Sequence, residues 1–360
     1  MRKLFGEIVF PHTPEYPRNS EGAMVELRDG RVLFVFSRFT GGSRDNDRAH
    51  LARTCSEDGG QTWSEPEVVV ETEGGMNVMS VSLLRLSSGE LMMSYLRKHS
   101  NGDCRPLVRF SHDEGETWSD PVEATDRICC HVVNNDRVVQ LSSGRLVMPA
   151  AVYCPEFGKH GVAPSQCFLS DDGGRTWRIG KGEARLREGV DAQEPGVVEL
   201  KDGRLMMFIR SRIGYIYRSY SEDGGETWSV PESTGIPCAK GSPISCKRIP
   251  STGDLLMVWN HRSPDSDEPN RRTPLTCAVS RDEGETWEHF QDIETDPDRG
   301  FCYTGILFRG DEVVLSYCAG LYDTGILKDL KVTIIVVEDL YDVLKLLSIQ
   351  EDTTGFSESQ

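Results

Sequence analysis

Five short segments of this 360-residue chain set an aspartate between a serine and a threonine at fixed spacing. They are SEDGGQTW (Ser56–Trp63), SHDEGETW (Ser111–Trp118), SDDGGRTW (Ser170–Trp177), SEDGGETW (Ser221–Trp228) and SRDEGETW (Ser280–Trp287). Oxygen-bearing side chains this close together can bind a hard cation or hydrogen-bond their own backbone. The one carboxylate common to every copy falls short of the several oxygen ligands that calcium needs. Asp and Gly in a row suit a tight turn, with Ser and Thr bonding local backbone. The Trp that follows is an apolar anchor with its ring N–H near a polar edge. These boxes therefore read as turns pinned into a core, and the reactive groups must lie elsewhere.

With 40 Lys and Arg against 57 Asp and Glu, the formal net charge is −17, which argues against a nucleic-acid or anionic-membrane partner. A pocket of arginines can still hold a small anion, so individual arginines matter in so acidic a chain. No GxGxxG, Walker loop, HExxH or zinc-spaced Cys/His set is present, so no cofactor and no metal are expected. Eleven cysteines without a CxxC pair read as buried free thiols of a cytosolic protein. The N-terminal MRKLFGEIVFPHTPEY has no apolar stretch long enough for a signal peptide, and nothing resembles a membrane span, so the expectation is a soluble protein, with its location either cytoplasmic or left open. Oligomeric state is left open.

The elements that must position any site follow from the repeats. Trp to Trp intervals of 55, 59, 51 and 59 residues signal one supersecondary unit per interval. In step with them run six apolar hairpins, turning near Gly30, Gly89, Gly144, Gly203, Gly253 and Gly310. Six units of about four strands predict an all-β six-bladed propeller, with two stacked sandwiches as the alternative. The run Thr333–Val337 supplies a strand to the last unit, and a strand around Ile8–Phe10 is expected to pair there and close the ring. Residues 1–347 then form one domain, with 348–360 a flexible tail.

Repeated SxDxGxTW boxes on six hairpins resemble the sialidase superfamily, with its Asp-boxes and six-bladed propeller, over nearly the whole chain. The resemblance implies hydrolytic removal of a terminal sialic acid, a sugar bearing a carboxylate on its anomeric carbon. Three arginines clamp that carboxylate in the family, and bidentate geometry favours Arg over Lys. Here they correspond to Arg18 in YPRNSEGAMVEL, Arg210 or Arg212 in MMFIRSRIG, and Arg271 or Arg272 in NRRTPLTCAVS. Where the family has Arg-Ile-Pro, this chain reads Arg18 followed by Asn-Ser-Glu-Gly.

The family's nucleophile is a Tyr activated by a Glu, since a phenol, unlike a carboxylate, is not repelled by the substrate's own carboxylate. Tyr303, just before the sixth hairpin, and Glu194, just before the fourth, match these positions. The general acid is an Asp on the loop after the first hairpin, here TGGSRDNDRAH, with Asp45 favoured over Asp47. Arg38, ending that hairpin, matches an arginine that contacts substrate. Asn77, Arg97 and His131, with Lys98, Arg105, Asn134 and Asn135 nearby, stand at strand ends where they are expected to read the rest of the sugar. The implied partner is a sialylated or other acidic glycan. Two rival readings are a hydrolase or lyase for a different acidic sugar and a non-catalytic glycan-binding propeller; the latter predicts Tyr303 and Glu194 far apart or turned into the core.

Overall fold

The computed structural model describes residues 1–73, 75–154, 162–187 and 189–341, so the expected tail after 347 lies outside the described residues. Each hairpin foreseen from its Gly turn forms, and each belongs to an antiparallel group of strands. The first group is β2 (Arg18–Glu26), β3 (Val32–Phe39), β4 (Ala49–Ser56) and β5 (Glu67–Val70). The second is β6 (Asn77–Arg85), β7 (Leu91–Ser100), β8 (Asp103–Ser111) and β9 (Val122–Glu123), and the third is β10 (Cys130–Val132), β11 (Val139–Gln140), β12 (Leu146–Tyr153), β13 (Ser165–Ser170) and β14 (Arg178–Ile179). A parallel bridge between Cys104 and Cys130 joins these two into one nine-stranded sheet.

The fourth group is β15 (Gln193–Glu199), β16 (Leu205–Arg210), β17 (Tyr215–Ser221) and β18 (Glu232–Pro237), and the fifth is β19 (Ser245–Arg248), β20 (Leu255–Trp259), β21 (Leu275–Ser280) and β22 (Glu288–Glu294). The last sheet orders β1 (Lys3–Phe10), β25 (Leu330–Val336), β24 (Glu312–Cys318) and β23 (Cys302–Arg309), with Phe10 opposite Leu330. The N-terminal strand thus pairs with the last group, as the sequence led us to expect.

Apolar side chains gather between neighbouring groups. Leu33, Val35, Leu83 and Met93 share one core, and Met92, Phe110, Met148 and Phe168 share the next. Val147, Leu169, Val197 and Met207 follow, then Met206, Phe208, Cys246 and Met257, then Leu256, Val279, Val313 and Leu315. Phe34, Phe36, Val314 and Val332 join the last group to the first. Each box Trp packs against one of these cores, Trp63 lying 5.4 Å from the Phe34 ring.

The boxes bind themselves. In the first, Asp58 Oδ1 accepts from Ser56 Oγ (2.8 Å) and Thr62 N (2.8 Å), Asp58 Oδ2 accepts from Thr62 Oγ1 (2.6 Å), and Trp63 Nε1 donates to Gly60 O (3.1 Å). Asp113, Asp172, Asp223 and Asp282 accept from their own Ser and Thr in the same way. Burial works to raise the Asp58 carboxyl, but bonds from Thr62, Ser56 and Gln61 outweigh it and hold the group down to about 2.

One expectation fails. Cys129 and Cys154 are disulfide-bonded, with Cα atoms 5.1 Å apart, while nine cysteines are free. Cys130 opposes Tyr153 in the antiparallel β10–β12 pairing, and the next pair outward brings the two thiols together. The free-thiol argument for a cytosolic protein therefore loses its footing. Among the described residues no helix is long and apolar enough to cross a membrane.

Asp223→Ala removes three acceptor contacts from one box and is expected to cost about 1–2 kcal/mol in chemical denaturation. A chelator should leave the wild-type melting temperature unchanged, because the box carboxylates spend their oxygens on protein donors. Since the Asp58 carboxyl lies below its ordinary value, its contribution is present above about pH 4 and lost as pH falls toward 2.

Candidate active site

Four strands that each open a group are broken at the same place. The ladder skips between Ser20 and Ala23 in β2, Met79 and Ser82 in β6, Gln193 and Gly196 in β15, and Cys302 and Gly305 in β23. At each bulge a non-glycine residue takes left-handed backbone: Glu21 (φ 53°), Ser80 (60°), Glu194 (39°) and Tyr303 (60°). Such a conformation costs of order 1–3 kcal/mol and persists only where surrounding structure enforces it. A bulge re-aims its side chain out of the inside/outside alternation. Glu194 and Tyr303 come from strands 109 residues apart, and this shared device brings them together.

Tyr303 Oη donates to Glu194 Oε1 at 3.3 Å, and Arg210 Nη1 stands 3.5 Å from the same phenol oxygen while ion-pairing with Glu194. Asn134 Nδ2 reaches Glu194 Oε2 at 3.4 Å, and Asn135 Nδ2 donates to the carbonyls of Gly22 (2.8 Å) and Tyr303 (3.1 Å), fixing the bulge. Burial pushes the Tyr303 phenol well up and the Glu194 charge adds to it, while Arg210 and Arg272 pull the other way.

Arg272 lies with its guanidinium 5.3 Å from the Tyr303 ring, donating to Cys302 Sγ at 3.0 Å and Gly241 O at 3.2 Å. Burial would raise the Cys302 thiol, but the Cys318 thiol and Arg272 hold it below its ordinary value. Arg18 is almost wholly buried at 1 % exposure, over the Phe39 ring. Its Nε donates to Ser20 Oγ (2.8 Å), its Nη1 to Asp45 Oδ1 (2.6 Å), and its Nη2 stands 3.5 Å from Glu21 Oε1. Burial acts to raise the Asp45 carboxyl, yet the Arg18 charge and hydrogen bond keep it below its ordinary value. Glu194, Arg210 and Asp45 also line one open pocket with Tyr153, Gln193 and Asn101.

The structure separates the paired candidates. Arg210 meets Glu194 while Arg212 is exposed; Arg272 meets Tyr303 while Arg271 turns outward to Glu268 and the Tyr322 ring. Asp45 meets Arg18, whereas Asp47 accepts from Arg44 N at 2.8 Å and closes its own loop.

Four expected substrate contacts are engaged elsewhere. Arg38 stacks 3.5 Å from the Tyr16 ring centroid, and Arg97 pairs with Glu123. His131 is fully buried against Phe168 with Nδ1 3.1 Å from Cys104 O, and burial lowers it to about 4, so it is neutral and packed on the core side of β10. Asn77, also fully buried, donates through Nδ2 to Asp45 O (2.9 Å) and Asp47 O (2.8 Å), which ties the acidic loop to β6. Glu21, Asn135 as a backbone clamp and Cys302 were not singled out from sequence as site residues. A bulge has no spacing signature that would have revealed Glu21.

Arginines from three strand groups, Arg18, Arg210 and Arg272, thus lie around the Tyr303–Glu194 contact and its neighbouring carboxylates. The chain belongs to the BNR repeat-like domain family, matched over residues 36–315, within the sialidase superfamily. A sialidase of Micromonospora viridifaciens is 26 % identical over 309 residues, covering 76 % of this chain and 45 % of the relative. One from Bacteroides fragilis is 25 % identical over 329 residues, covering 81 % and 58 %. The chain thus spans about half the length of these curated relatives. A leech intramolecular trans-sialidase, solved with 2,7-anhydro-Neu5Ac, superposes with a TM-score of 0.73 at 18 % identity, covering 93 % of this chain and 71 % of that one, a likeness of fold.

Asn77→Ala is expected to release the loop that carries Asp45. Backbone amides from Ser43 to Arg48 should lose hydrogen-exchange protection, at a global cost of about 1–3 kcal/mol for two lost buried bonds. Unchanged protection in that loop would show that β6 does not hold it.

Proposed function

We propose that this chain is an exo-acting, retaining glycoside hydrolase of the sialidase type, a single-domain six-bladed propeller with its site at the bulged ends of the inner strands. The six shared cores, the last joining the final strand group to the first, support the propeller reading. The substrate is a glycan ending in sialic acid, the sugar that gives the curated relatives their names.

Arg18, Arg210 and Arg272 take the sugar carboxylate. Glu194 removes the proton from Tyr303 Oη, which attacks the anomeric carbon, while Asp45 protonates the leaving glycosidic oxygen. Asp45 then activates water, the water oxygen bonds to the anomeric carbon, the tyrosyl bond breaks, and the phenol recovers its proton from Glu194. Two displacements retain configuration. A buried phenol is a poor nucleophile until a base and nearby cations stabilise its anion, and Glu194, Arg210 and Arg272 supply both. Asp45 is held low by Arg18; a substrate carboxylate that takes over Arg18 frees it and raises it toward the value a general acid requires.

The observation that carries this reading is the 3.3 Å contact between Tyr303 Oη and Glu194 Oε1 with Arg210 on both groups. It weighs against a non-catalytic propeller, which gives no reason to hold two strained residues face to face.

The test is release of a fluorophore from an α-sialoside. Tyr303→Phe should lower kcat by at least about a thousandfold with its fold intact by circular dichroism. Arg272→Ala should cost roughly a hundredfold in kcat/KM, and the exposed Arg212→Ala less than about twofold. A wild type that is folded but cleaves no sialoside, or a fully active Tyr303→Phe, would overturn the proposal.

A further inference from the structure

Of the four bulge residues with left-handed backbone, Glu194 and Tyr303 form the reacting pair of the proposed function, on which the following rests, and Ser80 is a small hydroxyl. The fourth, Glu21, puts an additional carboxylate at the same level of the site from the first strand group. It is 4 % exposed, its Oε1 lies 3.5 Å from Arg18 Nη2, and its Oε2 accepts from Ser80 Oγ at 3.4 Å. Its position is enforced from behind: a Cβ on the following Gly22 would come within 2.4 Å of the Phe34 ring and 2.8 Å of Val35 O. Glu21 is thus a buried side chain beside closely packed backbone, whereas Asp45 lies on an exposed loop.

The charges around it are specific. Arg18 faces it from its own strand, Asp45 from the loop after β3, Glu194 from β15, Cys302 and Tyr303 from β23, and Cys318 from β24. Arg18 is the one cation in this set, and it already serves two carboxylates. A substrate carboxylate can replace Asp45 on Arg18, but it cannot replace Glu21. An ionised Glu21 would then stand beside the substrate's own negative charge in a site removed from water, where like charges repel strongly.

We infer that Glu21 is a further active-site positioning residue and that it takes up one proton from solvent when an acidic sugar binds. As a neutral acid it leaves Arg18 to the substrate carboxylate and can donate a hydrogen bond toward it; as a carboxylate it competes for Arg18. Burial, only partly offset by Arg18 and reinforced by Asp45 and Glu194, already raises Glu21 to about 7 in the free protein. A bound carboxylate raises it further. Below pH 7 the site is ready to bind, and above pH 7 each further unit costs about tenfold in affinity through the one proton that must be taken up. A buried arginine clamp is thereby gated by a proton, which confines tight binding to neutral and acidic conditions.

Two measurements test this. Calorimetric titration of the wild type and of Glu21→Gln with 2,3-dehydro-N-acetylneuraminic acid at pH 8, in buffers of different ionisation enthalpy, should show that the wild type takes up close to one proton more than the variant. For α-sialoside hydrolysis, wild-type KM should rise about tenfold more per unit above pH 7 than that of Glu21→Gln. Cys302→Ser removes the nearby thiol that Arg272 and Cys318 hold below its ordinary value, and should leave the break near 7 in place. Equal proton uptake by the two proteins, or a Glu21→Gln variant that keeps the wild-type pH profile, overturns the role of Glu21 and leaves the sialidase reading standing. A wild type that neither cleaves the sialoside nor binds the analogue overturns that reading and this one with it.

Discussion

Three guanidinium groups withdrawn from water set the terms for everything around them. A buried cation is tolerated only where anions and acceptors replace its hydration, and here each arginine meets its own. Arg18 has Asp45 and Glu21, Arg210 has Glu194, and Arg272 has the sulfur of Cys302. In a chain with 17 more acids than bases the site is a local inversion of charge, built one pair at a time. The counter-anions are also the groups to which we assign chemistry: Glu194 as base, Asp45 as acid and Glu21 as proton gate. In the proposed mechanism, the same interactions that make these buried arginines tolerable are exchanged for a carboxylate that brings its own negative charge.

Two structural devices divide the labour. The boxes, self-bonded through Asp, Ser and Thr and pinned by Trp, hold strand groups against shared apolar cores and contribute no reactive group. The bulges in β2, β6, β15 and β23 break the ladder so that single residues leave the sheet's alternation and meet. Asn135 links two of the bulges by donating to the backbone of Gly22 and Tyr303, one side chain from the third group tying the first to the last. Strain concentrates at the bulges, and the packed groups behind them bear its cost.

This division explains what could be read in advance. Box and hairpin spacing is a property of local turns, so the strand groups and the pairing of the N-terminal strand with β25 were legible in the chain. Tyr303, Glu194 and Arg18 were singled out through resemblance, and the structure sets Tyr303 against Glu194 and Arg18 against Asp45. Arg210 from Arg212, and Arg271 from Arg272, were separated only by which side of an extended segment each occupies, which the structure supplies. His131 and Asn77 stand at strand starts as expected, but burial turns one into core and the other into an anchor for the Asp45 loop. The Cys129–Cys154 bond depends on strand register, and Glu21 on a bulge; both are relations between distant segments or departures from periodicity, which spacing along one chain does not encode.

The central claim, that Tyr303 attacks the sugar, is tested most directly by trapping what the attack makes. Incubation with a fluorinated sialosyl donor that slows the second displacement, followed by peptide mass spectrometry, should find the sugar bonded to Tyr303 and released again on standing. An adduct on Glu194 or Asp45, or turnover of the donor with no adduct on any residue, would contradict the account.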